Sequence, residues 1–352
     1  MSRYWSKLVK ELNPYVPGEQ PQLDNLIKLN TNEIPFDPAP GVLAAIASVT
    51  GSDLRRYPDP ESGQLKKAFA DLNNLKPEQV FLGNGSDEVL AHVFQALLSQ
   101  ENPICFPDIT YSFYPVWCKL YRCEFVTVPL ADDFTLNLKA FPKRNGGIII
   151  PNPNAPTGIL LGLDGVTELL NTHRDSVVVI DEAYIDFGGE SSVQLINEFD
   201  NLLVVQTLSK SRALAGLRVG AAMGNASLIE GLERVKNSFN SYPIDVVAQL
   251  AALASLEDPK YFKDSCDKVI ANREWLSQSM SDLGFEVLPS SANFVFARHS
   301  QRDAGDIFQA LRERGIVVRY FNAPRIDQFL RISVGNTSEC DSLLRALGEI
   351  LS

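Results

Sequence analysis

Leu202-Leu203-Val204-Val205-Gln206-Thr207-Leu208-Ser209-Lys210 is an apolar run that ends in hydroxyls and an amine, and Arg218 follows a short way on. An apolar run of that length reads as a buried strand. A lysine just past its end, between hydroxyls and an arginine, is an amine beside a ready anion site. Few charged partners stand near it in the sequence, so burial favours the neutral amine. A neutral lysine is the nucleophile that forms Schiff bases. Alone, the segment equally fits a solvated lysine in a loop, and the rest of the chain has to decide.

Outward from this run, short apolar strands alternate with helical patterns. Strands are expected at 79–82, 103–106, 123–128, 147–151, 176–181, 202–207 and 218–222, with helices at 87–99, 111–121, 164–173 and 226–234. Such alternation implies an α/β fold with a mostly parallel sheet covered by helices on both faces. After Pro243 the pattern changes to a long helical stretch, about 245–280, broken near Pro259. Strands at 285–288, 293–297, 316–319 and 329–334 and helices at 303–314 and 338–350 then read as a smaller α+β domain. Residues 1–40, rich in proline and asparagine, read as an extended arm that packs on the smaller domain or on a partner chain. The expected division is an arm at 1–40, a large domain at 41–245 and a small C-terminal domain at 246–352.

The 352 residues are 45% hydrophobic and 21% charged, ordinary for a soluble globular protein. A net charge of −11 argues against broad binding to nucleic acid or anionic membrane. It also means that an anionic substrate must be met by local arginines. The start, Met1-Ser2-Arg3-Tyr4-Trp5, lacks the apolar core of a signal peptide, and no apolar run approaches membrane-spanning length. Five scattered cysteines without C-x-x-C spacing suit a reducing cytoplasm. The three histidines, 92, 173 and 299, are too far apart in sequence to suggest a metal site.

In open parallel sheets ligands bind beyond the C-terminal strand ends, and unusual polar residues gather there. Val80-Phe81-Leu82 leads into Gly83-Asn84-Gly85-Ser86-Asp87-Glu88. Its glycines allow a tight turn, Ser86 or Asp87 can cap the following helix, and the exposed N–H groups form an anion site. Glu88 occupies the third position of a dinucleotide glycine motif, which lowers the odds for NAD. Ile148-Ile149-Ile150 runs into Pro151-Asn152-Pro153-Asn154-Ala155-Pro156-Thr157-Gly158, whose asparagines can meet a ligand oxygen or serve the turn itself. Val177-Val178-Val179-Ile180 ends in Asp181-Glu182-Ala183-Tyr184. An aspartate there is costly without a partner, and a cationic ring nitrogen is one; capping a helix is the plainer alternative. Thr207, Ser209, Lys210 and Arg218 complete the set, Arg218 as a clamp for phosphate. Together these sites demand a ligand with a phosphate, a ring nitrogen, a ring oxygen and a carbonyl. Pyridoxal 5′-phosphate presents all four, and an aspartate keeps its ring protonated as an electron sink.

Gly85-Ser86-Asp87-Glu88, Pro153-Asn154-Ala155-Pro156-Thr157-Gly158, Asp181-Glu182-Ala183-Tyr184 and Thr207-Leu208-Ser209-Lys210 resemble the fold-type I pyridoxal-phosphate aminotransferases across nearly the whole chain. Asn13-Pro14-Tyr15-Val16-Pro17-Gly18, Leu29-Asn30-Thr31-Asn32-Glu33, Arg56-Tyr57-Pro58 and Leu330-Arg331-Ile332-Ser333-Val334-Gly335 are most similar to the histidinol-phosphate branch of that family. The resemblance implies that Lys210 forms the Schiff base with the cofactor and then shuttles a proton. It implies that Asp181 pairs with the ring nitrogen, Tyr184 donates toward the ring hydroxyl and Tyr111 stacks on the ring. Ser86, Asp87, Thr207, Ser209 and Arg218 would hold the phosphate. Tyr57 would reach the phosphate of a neighbouring subunit, which implies a homodimer with shared sites. Arg331 would grip an anionic group of the substrate, helped by Tyr15, Asn32 and Arg319. One departure stands out. The family usually has asparagine where this chain has Ala155, so Asn154 shifts in as donor or Tyr184 acts alone.

The expected reaction is transamination between glutamate/2-oxoglutarate and imidazole-acetol phosphate/L-histidinol phosphate. An aromatic amino acid aminotransferase and a threonine-phosphate decarboxylase are rivals on the same scaffold. A cofactor-binding regulator without catalysis would be expected to carry a DNA-binding module, for which this chain has no length or basic segment to spare.

Overall fold

The computed structural model describes residues 2–21, 26–98 and 101–352. Its strands, in chain order, are β1 (Ile27–Lys28), β2 (Val80–Gly83), β3 (Ile104–Pro107), β4 (Phe125–Val128), β5 (Ile148–Pro151), β6 (Val178–Asp181), β7 (Leu202–Thr207), β8 (Gly220–Gly224), β9 (Phe285–Val287), β10 (Phe294–His299), β11 (Ile316–Val317), β12 (Arg319–Tyr320) and β13 (Leu330–Ser333).

Seven of them form one sheet in the order β2-β8-β7-β6-β5-β3-β4. Neighbours from β7 to β4 pair in parallel, and β8 runs antiparallel to both β7 and β2. The apolar runs work as a buried sheet because alternate residues serve opposite faces. Val178, Ile180, Leu202 and Val204 join one core, with the helices Gly63–Leu72, Leu163–Thr172 and Val246–Leu256. Val179, Leu203 and Val205 join the other, with Gly85–Val93, Tyr114–Tyr121 and Ala226–Phe239. The expected α/β sheet with helices on both faces is therefore present.

The register fixes the site. Gly220, the first residue of β8, pairs with both Gly83 and Thr207, the last residues of β2 and β7. Arg218 thus lies at the same sheet edge as the C-terminal ends of β2, β5, β6 and β7. Gly220 is required there, since a Cβ would sit 2.4 Å from the Ser86 nitrogen.

The second sheet, β12-β13-β10-β9, is antiparallel and packs against the helices Pro259–Asp282, Ala304–Glu313 and Thr337–Leu351. The expected helical stretch 245–280 is two helices, separated where Asp258 caps the second and Pro259 opens it. The expected strand 316–319 divides as well. β11 pairs in parallel with β1, and β12 joins β13. Through β1 the N-terminal segment is tied to the C-terminal sheet's core, where Leu29 is buried. The expected helix 87–99 begins at Gly85 and passes into a π-helical turn at Phe94–Leu98, while Ser99 lies outside the described residues, as do Met1 and 22–25 of the expected arm. Three helices, Pro40–Ala47, Gly51–Leu54 and Gly63–Leu72, fill a region in which the sequence reading placed none.

Candidate active site

The strand ends, the N-terminal segment and the second sheet enclose a cavity of about 180 Å³. Lys210, Asp181, Tyr184, Ser86, Asp87, Tyr111, Thr207, Ser209, Arg218, Tyr15, Asn32, Arg319 and Arg331 line it, so thirteen of the fifteen residues singled out from the sequence meet in one place. A second cavity of about 490 Å³ opens beside it and shares Tyr15, Tyr111, Ala155, Arg319 and Arg331.

The anion-binding end is built from the glycine turn at Gly83 and Gly85 and from the segment that carries Thr207, Ser209 and Arg218. The helix Gly85–Val93 has Asn84 at its N-cap, not Ser86 or Asp87, and Glu88 accepts the Asn84 N–H at 2.6 Å. Ser86 and Asp87 therefore lie in the first turn, where N–H groups lack intrahelical partners and the helix dipole favours an anion. The Arg218 guanidinium lies against this turn. A Cβ on Gly85, which has φ +82°, would come within 2.4 Å of it. Arg218 donates to Ser209 Oγ at 3.2 Å and pairs with Asp87 at 3.3 Å, and the Thr207 and Ser209 hydroxyls bond to each other at 3.0 Å. This is a cradle of hydroxyls, one cation and helix N–H groups, which matches a phosphate.

Asp181 ends β6 and is buried. The Tyr114 hydroxyl donates to Oδ2 at 3.0 Å, and Oδ1 has no partner among the described residues. Burial pushes its carboxyl up to about 7, with nearby Asp87 adding to the rise and Tyr114 opposing it. Such a carboxylate calls for a cation, and a protonated ring nitrogen supplies one. Tyr111, hydrogen-bonded to Asp87 at 3.0 Å, stands edge-on to Tyr114 at 5.7 Å. Tyr114 was missed in the sequence, although its i, i+3 spacing from Tyr111 places both on one side of a helix start.

Lys210 donates to the Thr31 carbonyl at 2.9 Å, and its Nζ lies 5.7 Å from the centre of the Tyr184 ring. The Tyr184 hydroxyl accepts from the Asn32 side chain at 3.0 Å. Asn32, in the left-handed region at φ 57°, is held by Ser333, which donates to its Oδ1 at 2.9 Å and accepts its backbone N–H at 2.9 Å. Thr31 and Asn30 were also missed. Their contribution is by main-chain carbonyls, which no residue-type signal reveals.

Arg331, in β13, is enclosed between the Phe294 and Phe321 rings at 5.4 and 5.5 Å and donates to the Asn30 carbonyl at 3.0 Å. Its Nε has no partner, and no carboxylate pairs with it among the described residues. Burial pulls its pKa down, yet a guanidinium remains a cation at neutral pH. Arg319 lies over the Phe321 ring at 5.4 Å, and Tyr15 stacks on Phe113 at 4.7 Å. Arg331 is partly exposed between the buried Leu330 and Ile332, as in the half-exposed strand that the sequence allowed, and its exposed side opens on the cavity.

Two expected residues stand elsewhere. Asn154 does not line the cavity: its amide hydrogens go to the Ile109 carbonyl at 3.1 Å and Thr157 Oγ1 at 3.0 Å. The local shift that would let it replace the missing asparagine does not occur, and the Ala155 methyl faces the cavity instead. Tyr57 stands on the outer surface, 82% exposed and stacked on Tyr242 at 4.7 Å. Among the described residues no cluster of histidine, cysteine or carboxylate side chains has the form of a metal site, and no helix is long and apolar enough to cross a membrane.

Residues 24–347 match the family model described as aminotransferase class I and II. A relative named histidinol-phosphate aminotransferase 2, from Dechloromonas aromatica, is 60% identical over 99% of both chains. Histidinol-phosphate aminotransferase 1 of Hydrogenovibrio crunogenus is also 60% identical, over 100% of this chain and 99% of its own. Among solved structures, histidinol-phosphate aminotransferase from Sinorhizobium meliloti in complex with pyridoxal-5′-phosphate superposes with a TM-score of 0.90 at 26% identity, covering 100% of this chain and 98% of that one. An L-threonine-O-3-phosphate decarboxylase from Porphyromonas gingivalis has the same fold, with a TM-score of 0.80 at 22% identity over 93% of this chain and 99% of its own.

Proposed function

The chain belongs to the class I and II aminotransferase family, and we propose that it transfers an amino group between glutamate/2-oxoglutarate and imidazole-acetol phosphate/L-histidinol phosphate, in histidine biosynthesis. One observation carries the reading: a single cavity brings together the Lys210 amine, the half-partnered Asp181 carboxylate and the Arg331 guanidinium that lacks a carboxylate. The choice of acceptor rests on the full-length identity to histidinol-phosphate aminotransferases.

The donor set fits pyridoxal 5′-phosphate. When bound, that group supplies an aldehyde for the amine and a protonated ring that draws electrons from the substrate's α-carbon. Ser86, Asp87, Thr207, Ser209 and Arg218 hold its phosphate, Asp181 its ring nitrogen, Tyr184 its ring hydroxyl, and Tyr111 covers its face. Asn154 is left out of this assignment because both of its amide hydrogens are spent. Lys210 would take the proton from the substrate α-carbon as general base and, as general acid, deliver it to the cofactor carbon that carried the aldehyde. Arg331, with Arg319, Tyr15 and Asn32, binds the anionic end of either substrate and supplies the local positive field that a chain of net charge −11 lacks overall. Donor and acceptor use one site in turn, so the kinetics are ping-pong.

In the same reading the enzyme is a homodimer with shared sites, and Tyr57 reaches the cofactor phosphate of the neighbouring subunit. Its exposure, together with Phe239 at 78%, supports a covered face there. Residues 1–40 act as the arm; the cofactor-binding domain runs past the expected boundary at 245 through the helix Val246–Leu256, which packs in a core of the large sheet, and the small domain begins with the helix at Pro259. Five free cysteines support residence in the cytoplasm.

A half-reaction screen tests the proposal. Histidinol phosphate, glutamate, phenylalanine, tyrosine and threonine phosphate are each added to the yellow holoenzyme. Glutamate and histidinol phosphate are expected to convert the bound cofactor to its pyridoxamine form. Phenylalanine far outrunning histidinol phosphate would overturn the acceptor, and CO₂ release from threonine phosphate would overturn transamination.

A further inference from the structure

Lys236, on the helix Ala226–Phe239, is 3% exposed yet lies outside the cavity. It pairs with Glu233 at 2.7 Å and Glu61 at 3.6 Å, while Lys66 pairs with the same two glutamates at 2.7 and 3.7 Å. Two cations and two anions thus balance in a partly buried group of four. Such a group is weak evidence of stability, because desolvation consumes most of the attraction. What it does do is hold main chain. Lys236 Nζ donates to the Pro60 carbonyl at 3.2 Å.

Pro60 belongs to Tyr57-Pro58-Asp59-Pro60-Glu61, a segment in which two residues have no N–H with which to tie themselves down. It is secured from outside. Gln249 donates to the Asp59 carbonyl at 3.1 Å, Lys236 to the Pro60 carbonyl, and the Asp59 carboxylate accepts the N–H groups of Glu61 and Gly63 at 3.0 and 2.7 Å. The tyrosine at the end of this clamped segment touches Tyr242, and its hydroxyl makes no hydrogen bond among the described residues. A fixed backbone that presents an unused hydroxyl outward is arranged for a group on another molecule.

We propose that the cluster of Glu61, Lys66, Glu233 and Lys236 is a positioning device that holds Tyr57 for the active site of a second copy of this chain. The claim rests on the dimeric reading above. Lys236 acts through Tyr57 and touches neither cofactor nor substrate.

Replacing Lys236 by methionine keeps the buried stem but removes the hold on Pro60. In the Lys236→Met homodimer the cofactor's dissociation constant is expected to rise about tenfold, the scale of one lost hydrogen bond to its phosphate. The deciding measurement uses a mixed dimer of Lys236→Met with Lys210→Ala, isolated by two different affinity tags. One of its sites combines an intact Lys210 with an intact Tyr57 segment from the other subunit. That site should regain wild-type cofactor affinity and half the wild-type activity. A fault confined to the subunit that carries Lys236→Met would leave the live site weak, and that result would overturn the proposal. So would an unchanged cofactor affinity in the Lys236→Met homodimer. If that variant does not fold, Gln249→Ala, which frees the Asp59 carbonyl, is expected to give the same rescue from a smaller defect; no defect, or no rescue, counts against the device. A wild-type protein that is monomeric overturns the proposal while leaving transamination standing, whereas one that is dimeric but inactive with every amino donor overturns both.

Discussion

The two sides of the cavity are built differently. On the sheet side, Arg218 has Asp87, Thr207 has Ser209, and Asp181 has Tyr114, so most polar groups are partnered within the protein. On the other side, Arg331 has two aromatic faces and a main-chain carbonyl but no carboxylate. A side that is balanced except for one oxygen of Asp181, left for a ring nitrogen, suits a group that stays. A side that keeps an unneutralised cation suits anions that come and go, since two different substrates must bind there in turn. The variants that follow test this contrast, beginning with the largest expected effect.

Lys210→Ala removes the amine and the proton carrier together, so a loss of about 10⁴-fold in kcat is expected. Turnover is read with glutamate and the acceptor; the yellow colour should go as well. A variant with unchanged turnover would end the assignment of Lys210.

Asp181→Asn should cost about 10³-fold in kcat, because the ring nitrogen loses its anion. The same change separates function from stability. The buried carboxyl has its pKa at about 7 against an ordinary 3.8. As pH rises between these values, the unfolded chain gives up its proton first and the folded chain retains it. Stability of the cofactor-free protein therefore falls across that window, by about 4 kcal/mol in all. The amide that replaces the carboxyl cannot ionise, so cofactor-free Asp181→Asn should melt higher than wild type at pH 8, and the gain should vanish near pH 4. A variant that melts lower at pH 8 would show that Asp181 is not strained without its cation.

Arg331→Gln tests the other side. It should lower kcat/KM by about 10²-fold for both substrates, as expected when a charge-assisted contact to an anion is lost. The bound cofactor's spectrum should stay as it is, because Arg331 does not belong to the balanced side. A loss of cofactor instead would break the contrast between the two sides.

The same contrast governs what could be read from the sequence. The sheet side was legible because strands end in short motifs: Asp181 closes one apolar run, and Lys210 follows another. Their chemistry is local, and the parallel order of the strands brings the ends together. The far side was legible only through resemblance. Arg331 sits in Leu330-Arg331-Ile332-Ser333, which by period alone is any half-exposed strand. Its role depends on Asn30, Phe294 and Phe321, which are distant in the chain. Asn154 shows the limit of motif reading. One residue decides which side chain faces the cavity, and spacing alone did not settle that Ala155 does. The helices between residues 40 and 72 were not placed from the sequence; Pro40 opens the first and Thr50 caps the second.

Asn32 joins the two sides and carries the smallest expected effect. Its amide donates to Tyr184 on the sheet side, and its carbonyl oxygen accepts from Ser333 on the other. With φ at 57°, it occupies a conformation that glycine adopts freely, so Asn32→Gly removes both hydrogen bonds without straining the turn. Tyr184 keeps its place against Phe294, where the rings meet edge to face at 5.2 Å, but its hydroxyl loses a donor. A loss of about tenfold in kcat/KM is expected, the scale of one ordinary hydrogen bond. The pattern of the loss is more informative than its size. If Asn32 acts through Tyr184 alone, both half-reactions should slow by the same factor. If it also sets the position of Ser333 and neighbouring Arg331, the phosphorylated substrate and glutamate should suffer unequally, because their anionic ends differ in size. Equal factors from stopped-flow measurements of the two half-reactions would assign Asn32 to the sheet side; unequal factors would make it the link that couples substrate identity to the cofactor's ring hydroxyl.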